Sequence, residues 1–349
     1  MSGVRSRMGA RHGGLGLTAA AAGGAALLAM GLVIAAVAGI AVTMGAAPLS
    51  LCDVTDALLA FDGSREHHVI TAIRLPRVIA GLLAGAGLGV AGAIMQAATR
   101  NPLASPDILG INAGAAFCVV LAMAVTGVVS GIALVGCALL GAGVAAIMVY
   151  LLGSSGPSSG SPVRLVLAGA TLSAFLASLT TAILIVEQST LDQIRLWAAG
   201  SLSGRTAAQT TAVAPFILIG LAGAMVFRRQ ITTLSLGGDI ARALGQEPVI
   251  WRAVLFALVI LLAGSAVALA GPIGFVGLVV PHMARLIVGV DYRWILPFSA
   301  LGGALLLTVA DLAGRLLLSQ SFPVGVTMAL IGGPFFVWLA RHRLKGTAA

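Results

Sequence analysis

Ten apolar stretches, most near the length that crosses a bilayer, succeed one another along this chain and leave little of it for anything else. They lie at roughly 20–46, 75–98, 103–126, 131–152, 164–186, 208–227, 249–270, 274–289, 295–314 and 324–340. A spanning helix needs about 20 apolar residues to match a hydrocarbon core ~30 Å thick. The eighth stretch is short and holds Pro281, and the first has loose boundaries. The composition agrees: 59% hydrophobic and 9% charged, with mean hydropathy +1.08. A soluble domain needs far more polar surface than this. The sequence predicts an all-α polytopic membrane bundle of about ten transmembrane helices, forming one domain over 1–349.

Arg5, Arg7 and Arg11 precede the first apolar run, which is too long for a secretory signal and reads as an uncleaved span behind a tail at 1–19. The net charge is +9, but the basic residues are scattered between spans as orientation signals, which excludes nucleic acid as a partner. An even span count puts both termini on one side. With that side cytoplasmic, Arg65, Arg74, Arg77, Arg195, Arg205 and Arg315 fall outside and the other 14 of the 20 basic residues inside. That asymmetry predicts cytoplasmic termini and a cytoplasmic loop at 228–248.

In lipid, helices associate through close packing of small residues. Gly81, Gly85 and Gly89, and again Gly110 and Gly114, recur every fourth residue. Trp197, Trp251, Trp294 and Trp338 near span ends read as interfacial anchors. On the outer side, 47–72 is a long polar connection and 187–207 holds a short surface helix. On the inner side, Arg100-Asn101-Pro102-Leu103 makes a tight turn, and the Gly/Ser-rich loop 153–162 reads as a gate or a linker.

Few residues carry chemistry. Gly87–Gly92 fits GxGxxG, but it lies mid-span with no preceding strand and reads as helix packing. Gly156–Gly160 fits GxSxG without the strand–turn–helix that a hydrolase needs. Cys52, Cys118 and Cys137 have no metal or disulfide spacing. No metal site, cofactor or enzyme activity is expected. Nor is there a Walker-type phosphate loop, so any use of ATP requires a partner. Acidic residues sit mostly in loops, which disfavours an ion-coupled carrier, the alternative reading. Asp107 lies near the inner end of the third span. Asp311 stands four residues before Arg315, where an intrahelical pair explains it, and His282 beside Pro281 reads as bonded at a kink.

The polar stretch Arg228–Pro248 stands apart. Gly237-Gly238-Asp239 reads as a helix start and Gly245 as its stop. The helix between them has about two turns, with Leu236, Ile240, Ala243 and Leu244 sharing a face, and is too short to be stable alone. It is predicted to rest on the membrane body and face a partner protein.

Five segments in order, IRLPRVIAGLLAGAGLGVAGAIMQAATRNPLASPDILGINAGA (73–115), LSLGGDIARALG (234–245), ALAGPIGFVGLVVPHMARLIVGVDYRWILP (268–297), ADLAGR (310–315) and PVGVTMALIGGPFFVWL (323–339), resemble the FecCD-type permeases. These are the membrane subunits of ABC importers for iron-siderophores, haem and cobalamin. The resemblance implies the type II importer fold and pairing with a second permease, as homodimer or heterodimer. It also implies two cytoplasmic ABC ATPases and an extracytoplasmic substrate-binding protein as partners. By the same resemblance Leu236, Gly237, Gly238, Asp239, Ala241, Arg242, Leu244 and Gly245 couple to the ATPase. Arg74, Arg77 and Arg315 dock the binding protein, with lipid headgroups as the competing partner. Asn101, Pro102 and Leu103 are gate-side candidates, and the loop before the fifth span matches too poorly to contribute any.

Overall fold

The computed structural model describes residues 6–45, 48–127, 131–154, 162–318 and 321–346. Among them the secondary structure is entirely helical. In order the helices are α1 (Ser6–Thr43), α2 (Leu51–Leu59), α3 (Arg65–His68), α4 (Leu75–Thr99), α5 (Ile111–Thr126), α6 (Gly131–Ser154), α7 (Pro162–Val186) and α8 (Gln188–Ala198). They continue as α9 (Ala207–Val226), α10 (Arg228–Leu236), α11 (Gly238–Ala243), α12 (Pro248–Ala270), α13 (Val276–Val288), α14 (Tyr292–Leu317) and α15 (Val324–Gly346). Seven spans are long and apolar enough to cross a membrane, and the shorter apolar helices at 111–126, 276–288 and 324–337 complete the ten expected.

Local chemistry sets the ends. Ser50 and Asp53 form a reciprocal cap on α2, and Thr206 and Gln209 do the same on α9. The Ser50 N–H and hydroxyl hold the Asp53 carboxyl below its usual range. Arg100 adopts a left-handed conformation (φ 51°) that ends α4. Beyond it the Leu103 N–H donates to Asn101 Oδ1 at 2.9 Å, a side-chain-braced turn.

Several boundaries differ from the sequence reading. The second span is continued backward by a π-type turn at Val69–Arg74, so that 65–99 is one helical rod. Residues 103–110 are not spanning helix. They form the turn and a single 3₁₀ turn at Pro106–Leu109, where Asp107 accepts hydrogen bonds from Ser105 and Asn112. The eighth span is only 13 residues, about 20 Å long at 1.5 Å per residue. The segment Gly271–Phe275 before it is irregular, with Gly271 and Phe275 at φ 76° and 69°. Such backbone is tolerated at membrane depth only against protein, and Gly271 fits because its α-carbon faces the Trp197 carbonyl, 2.1 Å from where a Cβ would stand. The connection 47–72 carries α2 and α3, and 187–207 carries the expected short helix, α8. Trp197 is buried within the bundle rather than anchored at an interface. The loop read at 153–162 lies, from 155 to 161, outside the described residues.

α4 is the hub, packed against α9, α12, α13 and α14. Its span is 78% buried, against 11% for α1 and α7, whose exposed apolar faces suit lipid or a partner. The close approaches are made backbone to backbone. A Cβ at Gly85 would stand 2.2 Å from the Gly303 carbonyl oxygen, and one at Gly92 would stand 1.9 Å from that of Gly277. Only glycine lets α14 and α13 lie this near.

Gly92→Ala must therefore push α13 away from α4, an overpacking that costs about 1–3 kcal/mol. We predict a lower melting temperature in detergent for Gly92→Ala. Gly31→Ala, with nothing within 4 Å, should leave the melting temperature unchanged or slightly raised, since Ala is the better helix former.

Candidate functional site: a foot and a clasp

The stretch 228–248 folds as two short helices, α10 and α11, where one was expected. Ile231 and Leu234, one turn apart on α10, are fully buried and seat it on the bundle against α4, α12 and α14. Gly237 then turns the chain with φ 121° and ψ 155°, a conformation that side chains disfavour. Ala241 is completely buried and fixes α11, while Leu236, Ile240 and Leu244 are 55%, 47% and 64% exposed. Ala243 is exposed as well. The result is a foot that holds on through small or inward residues and presents three large apolar side chains outward. A soluble face would bury such groups, so their exposure marks an interaction surface.

The polar residues of the foot have modest roles. Asp239 does not cap the helix. Its carboxylate accepts from Arg242 Nη1 at 2.9 Å, one turn along, with both side chains mostly exposed, a pair of little energetic value. Gly245, at φ 77°, does end the helix as expected: its N–H donates to the Arg242 carbonyl, and the Gln246 N–H to that of Ala241. A Cβ at Gly238 would meet Arg252 Nη2 at 3.6 Å, which is ordinary contact.

The turn after α4 reaches this foot. Arg100 Nη1 lies 3.2 Å from where a Gly237 Cβ would be, so the hub helix touches the α10–α11 junction directly. Asn101 and Pro102 are half-buried and Leu103 exposed in the same turn. Arg100, Ile231 and Leu234 were missed by the sequence reading. The i, i+3 spacing of the two apolar residues was the available signal.

At the opposite end of the bundle, Arg74, Arg77 and Arg315 are all buried, at 7%, 8% and 6% exposure. They do not project as free charges. Arg77 grips Asp311 with Nη2 to Oδ1 at 2.8 Å and Nε to Oδ2 at 3.0 Å, joining α4 to α14. Arg315 pairs with the same carboxylate at 3.1 Å, the intrahelical contact expected. Its Nη1 also donates to the Ala41 carbonyl at 3.2 Å, and Arg74 Nη1 donates to those of Val42 and Thr43 at 2.9 and 2.6 Å. These carbonyls close α1, where cations are favoured by the helix dipole. The four side chains thus clasp α1, α4 and α14. A buried guanidinium must be paired, and here the carboxylate and helix-end carbonyls supply the partners. A second buried polar link was not foreseen: Gln96 on α4 donates to the Gly277 and Leu278 carbonyls at 3.3 Å and accepts from Arg285.

Comparison with known proteins places this architecture. The family model described as the FecCD transport family matches residues 15–342. The chain belongs to the FecCD transport family. Relatives within it include the probable siderophore transport system permease YfiZ of Bacillus subtilis, 44% identical over 84% of this chain and 88% of its own length. The ferric enterobactin permease FepD of Escherichia coli is 42% identical over 87% and 91%. Among solved structures, a metal-chelate-type ABC transporter in an inward-facing conformation aligns with a TM-score of 0.80 at 28% identity, covering 90% of this chain and 98% of its own. As a FecCD protein the chain is a multi-pass membrane transport permease.

The clasp yields a prediction. Asp311→Asn leaves Arg77 and Arg315 buried without their shared anion, and breaking a buried pair in this way costs about 3–5 kcal/mol. The purified variant should melt well below the parent, whereas Asp239→Asn, removing an exposed pair, should shift stability by less than about 1 kcal/mol.

Proposed function

We propose that this chain is the membrane-spanning permease of an ATP-driven importer that moves an iron-siderophore or related ferric chelate into the cell. The carrying observation is the foot: two short helices, seated by Ile231, Leu234 and Ala241, that expose Leu236 and Ile240, with Leu244 exposed just beyond their end. Family membership and relatives named for siderophore, ferric citrate and ferric enterobactin transport support the cargo class.

In this reading the termini and foot are cytoplasmic, following the charge asymmetry of the loops. Two copies, or this chain and a paralogue, enclose the pathway. Two ATPases bind beneath, and a binding protein delivers the chelate from outside. Leu236, Ile240 and Leu244 are the contact residues. Gly237, Gly238 and Gly245 shape the foot, Asp239 and Arg242 lie at its rim, and Ala241 is its anchor. ATPase closure pushes the foot. Because Arg100 meets the α10–α11 junction, that push reaches α4 and the turn at Asn101, Pro102 and Leu103, which lies at the inner mouth. Arg74, Arg77 and Arg315 fix α1 beside the entrance and so shape the outer face on which the binding protein docks.

The triple variant Leu236→Ser/Ile240→Ser/Leu244→Ser tests this, since it removes the apolar face and leaves the buried anchors. Co-reconstituted with its ATPase and binding protein, it should lose at least about tenfold in ATP-dependent chelate uptake, as expected when central apolar contacts are truncated. Its melting temperature should not change. Uptake equal to the parent would refute the coupling role, and uptake that needs no ATPase but collapses with an uncoupler would identify an ion-driven carrier.

A further inference from the structure

Beside the foot, three membrane helices reach the same level. α9 ends at Val226, α13 ends at Val288 and α14 begins at Tyr292. Between α10 and the α13–α14 connection lies a cleft of about 640 Å³ whose walls include Arg228, Arg229, Arg293, Asp291 and Val290. Arg293 is paired with Asp291 at 2.9 Å. Arg228 and Arg229 are exposed and make no side-chain hydrogen bond or ion pair among the described residues. The cleft therefore carries two uncompensated guanidinium groups. The remaining polar lining is already engaged: the Thr232 and Thr233 hydroxyls donate back to the Arg228 and Arg229 carbonyls at 2.8 Å.

The surroundings are apolar. Val290, in the cleft wall, is 82% exposed, and Val226 and Ile287, within a few residues of it along the same helix ends, are 71% and 65% exposed. Guanidinium groups at the ends of spanning helices, next to exposed aliphatic side chains, match a molecule with an anionic head and hydrocarbon tails. A soluble phosphate would use the charges and gain nothing from the valines. We propose that this cleft binds the phosphate-bearing headgroup of an anionic phospholipid, with acyl chains lying along Val226 and Ile287. Basic pockets at helix ends hold such headgroups by charge, and bidentate guanidinium–phosphate pairing gives the contact its geometry. The site does not depend on which way the chain crosses the membrane, nor on the cargo. It would tie the base of the foot to the bilayer surface and give the coupling helices a fixed point from which to move.

The test is native mass spectrometry of the purified full chain after exchange into mixtures of phosphatidylglycerol and phosphatidylcholine. The parent and Arg65→Gln, altered at the other end of the bundle, should retain phosphatidylglycerol preferentially. Arg228→Gln/Arg229→Gln should lose that preference by about tenfold or more, as two removed charges require. It should keep the parent's melting temperature in phosphatidylcholine alone. Inorganic phosphate at millimolar concentration should not displace the lipid. No preference in the parent, or an unchanged preference in the double variant, overturns the site. Displacement by inorganic phosphate would make it a soluble-anion site instead.

Discussion

The whole bundle depends on how near its helices can approach α4. Lipid tails are as apolar as leucine, so no hydrophobic force gathers helices inside a membrane. What gathers them here is backbone contact, at Gly85 against Gly303 and Gly92 against Gly277. These contacts fix α14 and α13 around one rod that runs from residue 65 to 99. Its first turns hold the clasp, and its last residues lead to the turn that meets the foot. One helix thus reaches from the clasp to the foot.

The two ends are built on opposite principles. At the clasp, charge is inside and neutralised: three guanidinium groups share one carboxylate and the closing carbonyls of α1. Removing any partner there is costly because the rest cannot reach water. At the foot, apolar side chains are outside and a methyl group, that of Ala241, is within. A surface of that kind is stable on a monomer only because it is small, and it gains by being covered. The clasp ties three helices together through buried charge, and the foot offers an apolar surface that a partner can cover.

Much of this was legible in the sequence because it rests on local rules. The ten apolar stretches needed only length, the spacing of Gly85 and Gly89 needed only helical periodicity, and Gly245 ended its helix as glycine usually does. What was not legible depends on distance or context. Arg77 and Asp311 are 234 positions apart, so an arginine that looked free was in fact spoken for. Trp197 sits near a span end, yet the irregular chain at Gly271 packs over it. Ala241 and Ala243 read alike on a two-turn helix, and only the placement of α10 decides that one faces in and the other out. The eighth span could not be bounded because its irregular entry at Gly271–Phe275 satisfies its backbone through neighbours rather than through its own turns.

The central claim is that this membrane body contains no source of energy and is driven through its foot. Its most direct test is ferric chelate accumulation in proteoliposomes that contain the permease, its ATPase and a loaded binding protein. The account predicts uphill accumulation only while ATP is hydrolysed, unaffected by collapsing the ion gradients. Uphill accumulation by vesicles holding this chain alone, with no nucleotide consumed, would contradict it.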